Sequence, residues 1–253
     1  MRVVALQSGS QGNCIYLEAG NTRLLFDAGI SGLCAQNRLA YHGIDIHDVD
    51  ALFITHDHGD HVSTAGVFHR KFKLPIWMTE KTYHAAARRM GKLRSVEHFR
   101  SGTTFRFQDV TIEAIPTPHD AADGVCFVVD DGRRRFGICT DLGHVFDELK
   151  DVVASLDGVL LESNYDPEML DNGMYPEDLK DRVRGKRGHL SNFDAAELLD
   201  QYGSRLQTVL LGHISDENNR EPLVRETLHQ VVGNRFPCEL AHRHTSSNLL
   251  EIS

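Results

Sequence analysis

Residues 55 to 61 read Thr55-His56-Asp57-His58-Gly59-Asp60-His61, the pattern H-x-H-x-D-H, directly after the apolar run Ala51 to Thr55. Three imidazoles and two carboxylates packed this closely make a poor solvated turn and a good metal grip, since neutral imidazole is the commonest metal ligand. In an extended stretch alternate side chains share a face, so His56 and His58 can hold one ion. A turn permitted by Gly59 then aims Asp60 and His61 at a neighbouring point. One short loop can in this way serve two metals. Two metals need more ligands than the loop supplies. Three further positions end strand-like runs, where a sheet edge brings side chains together. His119 follows Val110 to Ile115, Asp141 follows Phe136 to Thr140, and His213 follows Thr208 to Leu211.

The elements that must position these residues can be read from apolar patterning. Short apolar runs flanked by turn residues predict strands at Val3 to Leu6, Cys14 to Glu18, Arg23 to Phe26, Ala51 to Thr55, Pro75 to Met78 and Val110 to Ile115. Further strands are predicted at Val125 to Val129, Phe136 to Thr140, Gly158 to Leu161, Thr208 to Leu211, Glu239 to Ala241 and Leu249 to Ile252. Helical spacing predicts helices over Leu33 to Tyr41, Val62 to Phe72, Lys81 to Met90, Val145 to Ala154, Glu177 to Val183, Phe193 to Tyr202 and Leu223 to Val232. Ser191 or Asn192 suits the cap of the helix that Gly203 ends, and Pro176 suits a first helical position. Hairpin-like strands come first and alternating strands and helices follow. Two packed sheets with helices outside satisfy that order, in one domain over residues 1–253.

Composition narrows the function classes. The chain has 253 residues, 41% of them hydrophobic and 25% charged, enough for a substantial core. No apolar run approaches the length of a membrane span. Met1 to Leu6 lacks the long apolar region of a signal peptide and reads as a first strand. The formal net charge of −9 argues against a surface that is basic throughout and coats nucleic acid, though a local basic groove is compatible with it. The five cysteines are odd in number and none has CxxC spacing, so neither a disulfide framework nor a zinc ribbon is indicated, and a reducing cytoplasm is the expected compartment. Histidine stands out, with 15 in the chain. His242 and His244 alternate near the C-terminal strand but add nothing that the ligands above leave missing.

Taken together, the loop and the three strand-end residues resemble the metallo-β-lactamase superfamily, whose fold is an αββα four-layer sandwich with metals at one edge of its two sheets. The resemblance covers nearly the whole chain. It implies that His56, His58 and His119 hold a first metal, that Asp60, His61 and His213 hold a second, and that Asp141 bridges them. Within the superfamily, Ser8-Gly9-Ser10-Gln11-Gly12-Asn13-Cys14 is similar to the SGSxGNC opening of the YycJ/WalJ (VicX) group. Leu161-Glu162-Ser163-Asn164-Tyr165-Asp166, Gly188-His189-Leu190-Ser191-Asn192 and His213-Ile214-Ser215-Asp216-Glu217-Asn218-Asn219 resemble the same group. Those proteins are bacterial and cytoplasmic, and are associated with phosphodiester hydrolysis, including 5′-to-3′ exonuclease action on DNA. The tRNase Z and PhnP-like phosphodiesterases share the scaffold. Only 71 residues separate Asp141 from His213, too few for the inserted domain of a β-CASP nuclease.

The resemblance sets the expected chemistry. Two divalent ions about 3.5–4 Å apart clamp the attacking and leaving oxygens of phosphoryl transfer, offset the substrate charge and make a bridging hydroxide near neutral pH. Nitrogen and carboxylate ligands suit Zn²⁺ first, with Mn²⁺ or Fe²⁺ as alternatives. His189 stands where the resembling phosphodiesterases have a proton-donating histidine, and Glu162 would orient it. Asp60 is also expected at the reacting centre. Ser10, Asn13 and Asn192 are expected to meet the substrate, the first two through a glycine-rich loop of backbone N–H groups. The run Leu179 to His189 carries five basic residues and one acid, and is read as a guide for a polyanion. The expected partner is therefore a nucleic acid or another phosphodiester substrate, with no membrane and the oligomeric state open. The alternatives are hydrolysis of a small ester, thioester, lactone or cyclic phosphodiester, or a non-enzymatic metal-binding regulator.

Overall fold

Strands that are apolar on both faces need cover on both faces, and the chain arranges its strands so that each sheet has it. The computed structural model describes residues Met1 to Ser253. Its first sheet has the order β14-β1-β2-β3-β4-β5-β6, with β1 Arg2–Gln7, β2 Cys14–Ala19, β3 Thr22–Phe26, β4 Ala51–Phe53, β5 Ile76–Thr79, β6 Glu97–Phe99 and β14 Leu250–Glu251. The second has the order β13-β12-β11-β10-β9-β8-β7, with β7 Thr103–Phe107, β8 Val110–Pro116, β9 Val125–Asp130, β10 Arg135–Cys139, β11 Gly158–Glu162, β12 Thr208–Gly212 and β13 Cys238–Leu240. Outside the first sheet lie α1 Gly32–Tyr41, the short α2 Gly59–Val62 and α3 Ala65–Val67, and α4 Glu80–Met90. The second half adds α5 Asp147–Ser155, α6 Pro167–Asn172, α7 Glu177–Arg184, α8 Asn192–Tyr202 and α9 Glu221–Val232. Of these, α5, α8 and α9 cover the second sheet.

Three cores separate the four layers, and strand alternation decides which core each side chain enters. In β2, Ile15 and Leu17 face between the sheets, whereas Cys14 and Tyr16 face the helices beside α1. In β11, Leu160 points between the sheets, and Val159 and Leu161 point to the helices outside. All of these are essentially fully buried. Each such aliphatic side chain contributes about 1.5–3 kcal/mol relative to an exposed one. Phe53 staples the sheets. Its ring centroid lies 5.7 Å from Phe26 and from Trp77 on its own sheet, and 5.8 Å from Phe127 on the other. The expected αββα sandwich is the architecture found.

Strand direction brings the chemistry to one edge. β3, β4 and β5 are parallel, as are β10, β11 and β12. β8 points the same way as β10, because both are antiparallel to β9. The residues just after these strand ends therefore meet at one rim: Asp27, His56, His119, Asp141 and His213, with Glu162 as the last residue of β11.

Most predicted elements appear with ends shifted by one or a few residues. The helix predicted over Val62 to Phe72 is the main exception. The chain instead forms α2, then α3, then a π-helical turn over Phe68–Phe72. Thr64 causes the break, since its N–H and Oγ1 both bond to Ala28 O and its Oγ1 also reaches Ile30 O, away from its own helix. Edge strands β6 and β7 and helix α6 lie in stretches whose sequence carries no clear period. Ser191 is the cap of α8, with Asp194 completing a capping box, and Pro176 precedes α7 as its cap instead of standing inside it.

Candidate metal centre and active site

The H-x-H-x-D-H loop leaves β4 extended and closes into α2 at Gly59, so Asp60 and His61 sit in the first helical turn. Around it the ligand atoms gather in overlapping sets, each with its atoms within 4.8 Å of one another: His56, His58 and His119; Asp60, His61 and His213; and His56, His61 and Asp141. Asp141 lies among them. Its Oδ2 is 3.2 Å from His61 Nε2 and 3.1 Å from His213 Nδ1, and its Oδ1 is 3.6 Å from His119 Nε2. His56, His61, His119, Asp141 and His213 are buried, while His58 and Asp60 remain partly open.

Four buried side-chain polar atoms in the molecule lack a hydrogen-bond partner, and three of them belong to this cluster: His56 Nε2, Asp141 Oδ2 and His213 Nδ1. A buried polar atom left without a partner costs about 1–3 kcal/mol. Concentrating three at one point is costly unless a cation fills it. The donor set is imidazole nitrogen and carboxylate oxygen, which fits divalent metal.

Neighbouring groups fix the ring orientations. His61 Nδ1 lies 2.7 Å from Asp27 Oδ2, His119 Nδ1 lies 2.8 Å from Gly188 O, and His56 Nδ1 lies 2.9 Å from Thr55 Oγ1. These contacts turn the opposite nitrogens of His61, His119 and His56 toward the cluster, the usual arrangement around a ligating histidine. Asp27 is held in turn by the N–H and hydroxyl of Thr55. Asp27, Asp141 and His213 have φ of +64°, +57° and +53°, three of only five non-glycine residues in the left-handed region. Such strain persists where surrounding contacts enforce it, and it collects at functional sites. Close packing also dictates a glycine: a Cβ at Gly29 would lie 1.7 Å from Asp60 O.

The electrostatics divide the histidines. Burial, with neighbouring His61, pushes the His56 ring well below the usual imidazole range, and burial lowers His119 despite Asp141. Both are neutral and ready to ligate. For His61 and His213 burial acts downward but nearby carboxylates win. Asp141, Asp27 and Asp60 hold His61 well above the usual range, and Asp141 and Glu162 push His213 up to about 9. Burial would raise Asp141, but His213, His61 and His56 outweigh it and keep the carboxylate ionised.

His189 and Glu162 adjoin the cluster. Glu162, fully buried, accepts the N–H groups of Leu142 and Leu190 at Oε2, and its Oε1 lies 2.6 Å from His189 Nδ1. The His189 ring stands between those of His119 and His213, with centroids 5.0 and 5.4 Å away. A pocket of about 200 Å³ opens over this group, lined also by Ser10, Asn164, Arg182 and Ser215.

Several sequence expectations are corrected. Asn13 is completely buried beneath the ligands. Its side chain serves Gly9 and lies 2.9 Å from His61 Nε2, so it braces the loop and does not form part of the pocket wall. Asn192 is buried as well, its amide engaged by Ser163 and Asn219. Only Ser10 of the three is exposed at the pocket. The basic run is largely neutralised. Arg182 pairs with Asp120 at 2.6 Å, Lys180 with Glu177 at 3.1 Å and Arg184 with Asp171 at 2.8 Å, which leaves Lys186 and Arg187. His242 pairs with Glu221. Asp27 and Asp120 were not foreseen. Asp27 had a usable signal, a strand-end carboxylate in Phe26-Asp27-Ala28-Gly29, the same logic that selected Asp141.

A sequence model of the Beta-lactamase superfamily domain matches residues 22–214, a span that includes every ligand position. The chain belongs to the metallo-β-lactamase superfamily. Exodeoxyribonuclease WalJ of Streptococcus pneumoniae is 39% identical over 88% of this chain and 85% of its own. Exodeoxyribonuclease YycJ of Bacillus anthracis is 34% identical over 90% and 87%. Among solved structures, the metallo-β-lactamase fold protein YhfI from Bacillus subtilis superposes with a TM-score of 0.72 over 97% of this chain and 98% of that one, at 15% identity. Membership in this superfamily, with the His/Asp cluster, makes the chain a metal-dependent hydrolase, similar in sequence to the WalJ and YycJ proteins. No helix is long and apolar enough to cross a membrane.

Proposed function

We propose that the protein is an exodeoxyribonuclease that holds two divalent ions, Zn²⁺ foremost, and hydrolyses the phosphodiester bonds of DNA. His56, His58 and His119 would hold one ion, Asp60, His61 and His213 the other, and Asp141 would lie between. The ions would supply positive charge to the phosphodiester and an activated water. The observation that carries the phosphodiester reading is the His189–Glu162 pair. The Glu162 carboxylate holds the ring through Nδ1, which leaves Nε2 free to give a proton to the leaving oxygen. Ser10 at the pocket rim is positioned to donate to a phosphate oxygen. The core shared by both sheets supports reading residues 1–253 as one domain, and the five free cysteines support a reducing cytoplasm.

End-labelled DNA incubated with metal-loaded protein tests the proposal. Cleavage should stop on chelation and return with Zn²⁺ or Mn²⁺. His189→Ala should slow cleavage by roughly 10²–10⁴-fold while bound metal stays constant. Protein that binds metal fully and leaves DNA intact with every divalent ion tried would overturn it.

A further inference from the structure

Positive charge is concentrated outside the basic run that the sequence first suggests. Residues 69–94 contain eight Lys or Arg and a single acid, Glu80, a net of +7, so the remaining residues together carry −16. Arg70, Lys71, Lys73, Lys81, Arg88, Arg89, Lys92 and Arg94 are all exposed, and none forms an ion pair. In this they differ from Lys180, Arg182 and Arg184, whose charges are met by local carboxylates.

The fold draws these cations together. The π-helical turn after α3 packs beside the C-terminal end of α4, where Arg70 Nη1 donates to the carbonyls of Met90 at 3.0 Å and Lys92 at 3.1 Å. A concavity of about 810 Å³ results, lined by His69, Arg70, Lys73, Lys92 and Arg94, with Leu93 its one apolar side chain. Helix capping accounts for Arg70. It does not account for Arg88, Lys92 and Arg94, whose side chains make no polar contact within the protein. Arg89 links this surface to the metal loop, its Nη1 donating to Asp57 O at 2.7 Å, between His56 and His58.

We infer that this surface is a second substrate-binding site that holds the phosphate backbone of DNA away from the cleaved bond, on the side of the metal loop that Arg89 joins. The inference rests on the nuclease reading above. The cations are spread over two elements and do not converge on a point, which suits a chain of phosphates better than a small anion. The lining has no Phe, Tyr or Trp, and the His69 ring is buried and held by Leu74 O and Arg94 N–H, so recognition is of backbone and independent of sequence. Elsewhere the acidic surface repels a polyanion, so the patch and the metal centre together define its path.

The triple variant Arg88→Gln, Lys92→Gln, Arg94→Gln removes three charges and no internal contact, so it should fold and load metal normally. For a single-stranded 20-mer, KM at 0.15 M salt should rise by tens of fold with kcat unchanged. The slope of log KM against log salt should fall by about 2, from ~0.7 per lost phosphate contact. A dinucleotide has only the phosphodiester that is cleaved and no further phosphate for the patch, so its hydrolysis should not change. Anisotropy of the labelled 20-mer on chelated protein gives a readout independent of cleavage and should show the same loss. Equal KM and salt slope for the 20-mer in wild type and variant would overturn the inference and leave the nuclease reading standing. Loss of affinity for phosphatidylglycerol vesicles with DNA binding intact would also overturn it, by making the patch a membrane contact. Patch-dependent DNA binding by a wild type that cleaves no DNA would support this surface and overturn the nuclease reading.

Discussion

Glu162→Gln isolates one proton. Glu162 is fully buried, and its Oε2 already accepts two fixed backbone N–H groups, from Leu142 at 3.0 Å and Leu190 at 3.3 Å. A glutamine of the same shape must keep its carbonyl oxygen toward those donors. Its NH₂ then faces His189 Nδ1, where a carboxylate oxygen formerly sat at 2.6 Å. A donor facing Nδ1 favours the tautomer with the hydrogen on Nε2 and removes the carboxylate contact that holds the ring. A hydrogen bond to a charged group contributes about 1.5–3 kcal/mol, a factor of roughly 10 to 150 in the population of the ring orientation and tautomer it holds. With the unfavourable tautomer added, kcat for DNA should fall by about 10²–10⁴, the range of a lost general acid. Single-turnover cleavage should be compared with hydrolysis of a bis-p-nitrophenyl phosphodiester. The nitrophenolate leaves without a proton, so that reaction should change by less than about tenfold, while metal content by mass spectrometry stays at the wild-type value. An equal loss on both substrates with metal retained would refute the proton-donor reasoning, as would an unchanged rate on DNA.

Other outcomes follow from the same geometry. Asp27→Ala removes the partner of His61 Nδ1 and should weaken metal binding by about 10–100-fold, measured by competition with a chelating dye. His213, pushed up to about 9, and His61, also raised, are protonated in the metal-free protein at pH 7, whereas a ligand must be neutral. Metal binding at pH 7 should thus release protons to a weak buffer, the release should diminish as pH rises through about 9, and apparent affinity should climb over that window. In the metal-free protein the same raised groups favour folding below the unfolded imidazole pKa of about 6.5, and their contribution should disappear as pH rises through about 9, visible as a falling Tm. Phe53→Ala opens a void between the sheets and should cost about 3–5 kcal/mol in denaturant unfolding.

The candidate ligand residues stood out in the sequence because metal chemistry is locally encoded. H-x-H-x-D-H sits on one strand end, and His119, Asp141 and His213 each follow an apolar run that could only be a strand. Asn13 and Asn192 were misplaced because sequence gives a residue's type and neighbours but not which way its side chain points. Both are buried under the rim they were expected to line. The basic run at 179–189 misled for a related reason. Its partners Asp120 and Asp171 are distant in sequence or lie on another helix, and only packing shows that they neutralise it.

By itself the sequence determined the donor types, their places at strand ends and the layered fold, since apolar periodicity and metal preference are properties of short segments. The tertiary structure decided what depends on direction and approach. Parallel strands in two sheets brought six strand ends to one rim, Asp27 and Gly188 turned the rings of His61 and His119, and Glu162 was carried beneath His189. It also decided where positive charge remains free. That depends on which carboxylates come within a few ångströms, and folding fixes those distances while composition does not.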